Sequence, residues 1–287
     1  MGGVSNRVGI IGVGLLGSAL GQRLAGQGWE VFGHDPAVPE LGGLTMCRSA
    51  VELAGRCDTL MLSLPTSAVA AEVVRALGQA VTAQHCILDT TTGEPGEMEA
   101  LGQALTQHGA AYLEANVAGS SALAKRGEAT LFLGGSAKTI DRSQALLEAL
   151  ATKRFHVGPV GAASRFKLVH NLILGLNRAA LAEGLAFAEA LGFDASNALA
   201  ILRETPATSA ALEAKGEKMA KHEFDPPQAR LSQHLKDVRL VRKLAEEIGA
   251  VTPLSDTHQT LLERAEALGL GESDNAAVIE ALRRGNL

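Results

Sequence analysis

The chain has 287 residues, 46% of them hydrophobic and 20% charged, with a formal net charge of −5. That length holds two modest domains or one large one, and the apolar content excludes an intrinsically disordered chain. The charges are interspersed, which argues against a nucleic-acid partner, and no segment reaches the roughly 18 uninterrupted apolar residues of a membrane span.

The opening MGGVSN begins like a myristoylation site but has Asn6 where Ser or Thr is required. The apolar run Val8–Leu20 is broken by Gly12, Gly14 and Gly17 and lacks the build of a secretion signal. Cys47, Cys57 and Cys86 show no metal or redox spacing. The expectation is a reduced, cytoplasmic protein with no metal site and no membrane attachment.

From Arg7 to about residue 157, the runs RVGIIGV, EVFGHD, TLMLSLP, HCILDTT, AYLEANV, TLFLGG and RFHVG read as strands. Helical patterns such as Leu16–Gln27 and Glu94–His108 fall between most of them. This alternation predicts a doubly wound parallel sheet with helices on both faces. Beyond Gly161 the strand signals stop. Helices are predicted over Ala162–Leu191, Ala195–Arg203, Ala210–Lys221, Leu231–Ile248, Pro253–Leu268 and Asn275–Arg284. The segment GPVG at 158–161 punctuates the handover. The expected organisation is a Rossmann-type α/β domain over residues 1–160 followed by an all-α domain over 161–287.

In the first domain, Gly12, Gly14 and Gly17 form a GxGxxG directly after a strand, with Leu15 and Leu16 opening the helix. One glycine makes the tight turn, one admits a pyrophosphate to the backbone, and one lets the helix pack on the sheet. The helix N-terminus then offers free N–H groups to the phosphates. About twenty positions on, FGHDP supplies Asp35 at the end of the second strand. A carboxylate there accepts from the adenosine ribose hydroxyls and repels a 2′-phosphate, so NAD is expected over NADP. The competing reading is that Asp35 only starts a turn with Pro36. Leu64 and Pro65 in LSLPT, and Thr92 in DTTT, stand at later strand ends, where such sheets hold their ligands.

Phe166 through Leu191 is almost entirely apolar, with Lys167 and Arg178 as its cations. Lys167 and Asn171 are four residues apart and share a helix face. A lysine at the domain junction, beside a nicotinamide, would exchange a proton with a carbonyl or hydroxyl oxygen. Asn171 has both a donor and an acceptor with which to orient lysine or substrate. The alternative is a lysine whose stem packs on apolar surface while its head reaches solvent.

Taken together, these motifs resemble the β-hydroxyacid dehydrogenase family. GIIGVGLLGSAL is similar to its dinucleotide signature, with Leu16 where Met is usual; LSLPT and LDTTTGEP resemble its next cofactor-edge motifs. GPVGAASRFKLVHN is similar to its G-x-x-G…K-x-x-x-N segment, and LSQHLKDVRL and GLGESDNAAVI to its K-D and closing G-x-x-D motifs. The resemblance implies a catalytic Lys167 assisted by Asn171, and Lys236 near cofactor and substrate. It also implies a small hydroxy acid as substrate and a homodimer or homotetramer. The family's substrate loop D-A-P-V-S-G-G stands here as EANVAGS, residues 114–120. Ala118 replaces its serine, Gly119 is kept, Ser120 replaces a glycine, and His170 stands where a first asparagine is common. These four positions are the expected substrate contacts. The alternatives are an imine reductase-like enzyme, against which Lys167 counts, and a non-catalytic dinucleotide-binding module.

Overall fold

The computed structural model describes residues 6–283. The MGGVS at the chain start and Arg284, the predicted end of the last helix, lie outside the described residues. The chain forms β1 (Arg7–Ile11), α1 (Leu15–Gly26), β2 (Glu30–His34), β3 (Thr45–Met46), α2 (Ala50–Ala54), β4 (Thr59–Leu62) and α3 (Ser67–Leu77). There follow β5 (Cys86–Asp89), α4 (Pro95–Gln107), β6 (Ala111–Ala118), α5 (Ser121–Arg126), β7 (Thr130–Gly134), α6 (Ala137–Arg142), α7 (Gln144–Leu150) and β8 (Lys153–Gly158). The helical part comprises α8 (Ala162–Ala190), α9 (Ala195–Arg203), α10 (Ala210–Lys221), α11 (Leu231–Ile248), α12 (Pro253–Ala265) and α13 (Glu280–Arg283).

The eight strands form one sheet in the order β3-β2-β1-β4-β5-β6-β7-β8. From β1 the chain winds outward through β2 and β3, then returns across β1 to place β4 on its other side. The strand order therefore reverses between β1 and β4, and sheets of this kind hold ligands outside the carboxyl ends of the strands at such a reversal. Successive strand residues face opposite layers. Val8, Ile10, Met61 and Leu88 pack with Leu20 and Leu24 of α1. Ile11, Leu60, Leu62 and Ile87 pack on the other face with Leu53, Ala70 and Leu101. Both faces are covered, which is why these strands read as continuous apolar runs.

Two features of the sheet depart from the sequence expectation. Strand β3 was not anticipated, because two residues carry no periodicity. The sheet is also not wholly parallel, since β6 and β7 pair antiparallel, Ala118 opposite Thr130. Only residues 119–129 join them, and a parallel crossover needs about a dozen or more.

Packing divides the chain after Lys167. The opening of α8 belongs with the sheet, because Ala163 packs on Ala118 and Phe132, and the Phe166 ring meets Phe132 edge-on at 4.8 Å. The second unit has its own core, built from Leu181, Leu185, Leu199, Met219, Leu235 and Leu261 among others. Within it Lys215 pairs with Asp274 at 2.8 Å, both buried. Asp274, the aspartate of the closing motif, also accepts from the Ala276 and Gln228 amides. The predicted helix Pro253–Leu268 loses α geometry after Ala265 and widens over Glu266–Leu270, where Gly269 has φ 85°. The last predicted helix starts as a tight 3-10 turn over Asn275–Ile279.

Candidate active site

The turn after β1 has the features of a phosphate cradle. Gly12 sits at φ 90°, and a Cβ on it would collide with the Ser63 carbonyl. A Cβ on Gly17 would collide with the Gly12 carbonyl, so α1 can approach the turn only because residue 17 is glycine. A Cβ on Gly14 would instead meet nothing within 4 Å, leaving open room beside the backbone. Helix α1 has no side-chain cap at Gly14 and no acid in its first turn. Helices α2, α3, α4 and α5 are capped by Ser49, Thr66, Glu94 and Ser120. The first N–H groups of α1 are thus left for an anion. These residues fit a dinucleotide pyrophosphate. Leu15 is 43% exposed, while Leu16 is half-buried against the sheet core.

Asp35 leaves β2 beside this turn. Its Oδ2 accepts from the Val13 amide and its Oδ1 from the Ala37 amide, both at 2.9 Å. The second bond is the turn foreseen in the competing reading; the first ties the carboxylate to the glycine turn. Each oxygen keeps a lone pair for a further donor. At the neighbouring strand ends, Leu64 N donates to Thr91 Oγ1 at 3.2 Å. Pro65 is exposed and Thr92 half-buried. Thr90 Oγ1 donates to the Leu62 carbonyl at 2.8 Å and locks β5 to β4.

Beneath these ends lies a buried polar cluster. Asp89 is fully buried and accepts from the Thr91 amide and the Tyr112 hydroxyl. Burial, opposed by these donors, pushes its carboxyl up to about 6. Its register partner on β6 is Glu114. Glu114 is also fully buried; it accepts from the Gly161 amide at 2.6 Å and from the Ser164 hydroxyl. Burial raises its carboxyl while these donors and the Ala163 and Ser164 amides pull it down, with a net rise. Asn116, where the family loop has proline, donates to the Thr91 carbonyl at 2.7 Å. Farther along β6, Ala118 is buried and Gly119 takes φ 145°. The Ser120 hydroxyl accepts from Leu123 N at 3.3 Å as the cap of α5.

Lys167 is 7% exposed, which removes the reading of a head held out in solvent. One turn on, in the second unit, Asn171 Nδ2 donates to Asp237 Oδ2 at 2.8 Å, and His170 Nδ1 faces Asn171 Oδ1 at 3.1 Å. Lys236 Nζ stands 3.2 Å from Asp237 Oδ1. The second unit therefore brings together His170, Asn171, Lys236 and Asp237. The first brings together the glycine turn, Asp35 and the strand ends with Leu64 and Thr92. Sequence reasoning missed Glu114, Asn116 and Asp237 as individual residues. The first two were visible as departures from the family loop, and the third as the partner of the motif lysine. Among the described residues no cluster of His, Cys, Asp or Glu could hold a metal, and no helix is long and apolar enough to cross a membrane.

Comparison with known proteins agrees with this architecture. Residues 7–158 match the family model of the NAD binding domain of 6-phosphogluconate dehydrogenase. Residues 161–282 match that of the NAD-binding of NADP-dependent 3-hydroxyisobutyrate dehydrogenase. The chain is 28% identical to glyoxylate/succinic semialdehyde reductase 1 of Arabidopsis thaliana, over 96% of this chain and 98% of that one. It is 31% identical to L-threonate dehydrogenase of Cupriavidus necator, over 96% of each. The crystal structure of a 3-hydroxyisobutyrate dehydrogenase from Salmonella typhimurium superposes with a TM-score of 0.86 at 25% identity, covering 96% of this chain and 99% of that one. The chain belongs to the β-hydroxyacid dehydrogenase family and is an NAD(P)-dependent oxidoreductase.

Proposed function

We propose that this enzyme interconverts a small β-hydroxy acid and its semialdehyde, with Lys167 as the proton-transfer group and Asn171 as its orienting partner. The observation that carries this reading is the burial of Lys167, one helical turn before an asparagine anchored to Asp237. The bound nicotinamide supplies the acceptor or donor of hydride. In the oxidative direction Lys167 Nζ takes the hydroxyl proton while the carbinol hydrogen leaves as hydride; in reduction the ammonium returns that proton to the carbonyl oxygen. Asn171 keeps a second N–H and a second lone pair beyond its bonds to Asp237 and His170, enough to fix a hydroxyl or an amine.

The cofactor preferred in this reading is NAD. The free lone pairs of Asp35 receive ribose hydroxyls and repel a 2′-phosphate, while Gly12, Gly14, Leu15, Leu16 and Gly17 hold the pyrophosphate. Within the first unit, Leu64, Pro65 and Thr92 border the rest. The substrate carboxylate goes to the backbone around Ala118, Gly119 and Ser120. The relatives' names support this substrate class, since glyoxylate, succinic semialdehyde and L-threonate are all small carboxylates.

The helical unit exposes Ile173, Phe187, Leu191, Phe193 and Ile201 by more than half, an apolar surface that suits a homodimer or homotetramer. Light scattering at micromolar concentration tests this; a monomer would refute it. Three buried thiols with no disulfide support a cytoplasmic setting.

The test of function is a spectrophotometric screen of NADH and NADPH turnover with 3-hydroxyisobutyrate, glycerate, serine, threonate and succinic semialdehyde. It is repeated with Lys167→Ala. Turnover of at least one compound, abolished in the variant while NADH still binds, is expected. Full turnover by the variant would refute the role of Lys167.

A further inference from the structure

We infer that Glu114 is the positioning residue for Lys167: from strand β6 its buried carboxylate caps the helix that carries the lysine, and so fixes where the lysine stands. The inference rests on the reading of Lys167 given above.

Helix α8 lacks a cap of its own, because Gly158, Pro159, Val160 and Gly161 precede Ala162 and none has a side-chain acceptor. The acceptor comes instead from a residue 47 positions earlier, through the Gly161 amide at 2.6 Å. The Ser164 hydroxyl and the Ala163 and Ser164 amides complete the set of donors. A carboxylate surrounded by helix N-terminal N–H groups lies at the positive end of the helix dipole, and such charge-assisted bonds are short and directional. Ser164 is three residues ahead of Lys167, so the capped turn leads directly into the one bearing the lysine.

The place for this carboxylate is built into the sheet. A Cβ on Gly134 of β7 would collide with Glu114 Oε2 and lie 3.0 Å from the Ala163 amide nitrogen. Only glycine there lets strand, carboxylate and helix meet. Other charged groups nearby have separate assignments: Arg165 pairs with Glu99 at 2.5 Å, and Asp89 is held by Thr91 and Tyr112. A one-ångström displacement of a reacting group can cost about a hundredfold in rate, so a fixed helix start bears on turnover as well as on stability.

The experiment compares wild type, Glu114→Gln, Glu114→Asp and Lys167→Ala. Glu114→Gln places an NH2 group among N–H donors; Glu114→Asp keeps the charge on a shorter stem. Two readouts are needed: kcat and KM on the most active compound of the screen, and the pH dependence of Lys167 labelling by acetic anhydride, read by mass spectrometry without turnover. Glu114→Gln is expected to lower kcat by about a hundredfold with little change in KM for NADH, and to alter the labelling rate and midpoint of Lys167. Glu114→Asp is expected to recover part of both. A Glu114→Gln protein that melts earlier yet keeps wild-type kcat and Lys167 labelling would make Glu114 a plain helix cap and overturn the inference. If Glu114→Gln does not fold, Glu114→Asp decides: wild-type kcat and labelling overturn the inference, and intermediate values support it. Retained turnover in Lys167→Ala would instead count against the reading of the lysine itself, whatever Glu114 does to its labelling.

Discussion

Asn171 Nδ2 donates to Asp237 Oδ2 at 2.8 Å, while the other oxygen of the same carboxylate stands 3.2 Å from Lys236 Nζ. Asp237 thus links the asparagine of one motif to the lysine of another. Removing it leaves a buried amide without its charged acceptor, a loss of about 1.5–3 kcal/mol. If that loss falls on the orientation of Asn171 in the reacting state, Asp237→Ala lowers kcat/KM by about ten- to a hundredfold. Steady-state kinetics checks it, and a wild-type kcat/KM would show that Asn171 keeps its place unaided.

Asp35 holds the glycine turn and, in the proposed reading, also receives ribose hydroxyls, and substitution separates the two roles. Its Oδ2 holds the Val13 amide of the glycine turn, and its remaining lone pairs suit the ribose hydroxyls. Asp35→Ser removes the negative charge and keeps a short acceptor. NADH affinity should fall by about tenfold, equivalent to one lost hydrogen bond, while NADPH affinity rises. Fluorescence titration with both cofactors measures this. Weaker binding of both in equal proportion would mean that Asp35 serves only the turn.

The glycine turn after β1 was legible in the sequence because its geometry depends on glycine at fixed spacing. Gly12 needs a positive φ, Gly17 needs close approach, and no other residue type meets both demands. Lys167 stood out in the sequence as a charge in an apolar run just past the predicted junction at 160/161, whereas packing divides the chain after it. The partners were not. Glu114 caps a helix far along the chain, and Asp237 meets a residue on another helix, so neither contact leaves a local pattern. Strand β3 exists only because Phe32 and Gly33 offer it a ladder. The antiparallel β6–β7 pairing follows from the short connection at 119–129, a length constraint that strand periodicity does not report.

Asp89 gives a pH dependence of stability. Its carboxyl is raised from 3.8 to about 6 by burial, so between these values the folded chain binds a proton that the unfolded chain has released. Stability from this group therefore falls as pH rises from about 4 to about 6, by up to about 3 kcal/mol. Asp89→Asn should remove that slope and be more stable than wild type at pH 7. Its amide oxygen still accepts from Thr91 and its NH2 group can donate to the Tyr112 oxygen. Urea titrations across pH 4–8 test this; an unchanged slope in the variant would assign it to another group.

Arg178 is the second cation of the apolar run, and its surroundings argue that it burdens the fold. It is 5% exposed, and Nε and Nη1 have no hydrogen-bond partner among the described residues. Burial lowers its guanidinium from 12.5 to about 10, with Asp274 opposing, although that carboxylate is paired to Lys215 at 2.8 Å. The arginine is thus charged at neutral pH in both states and loses hydration on folding. Replacing such a group with an apolar side chain of similar volume is often neutral or stabilising by about 1–4 kcal/mol, so Arg178→Met should melt at or above the wild-type temperature. A second signal accompanies it. His258 is lowered to about 4, by burial first and by the Arg178 charge second, so the variant should raise its titration midpoint in an NMR experiment. A loss of more than about 2 kcal/mol, the scale expected when a buried pair is broken, would show that Arg178 has a partner in the folded protein.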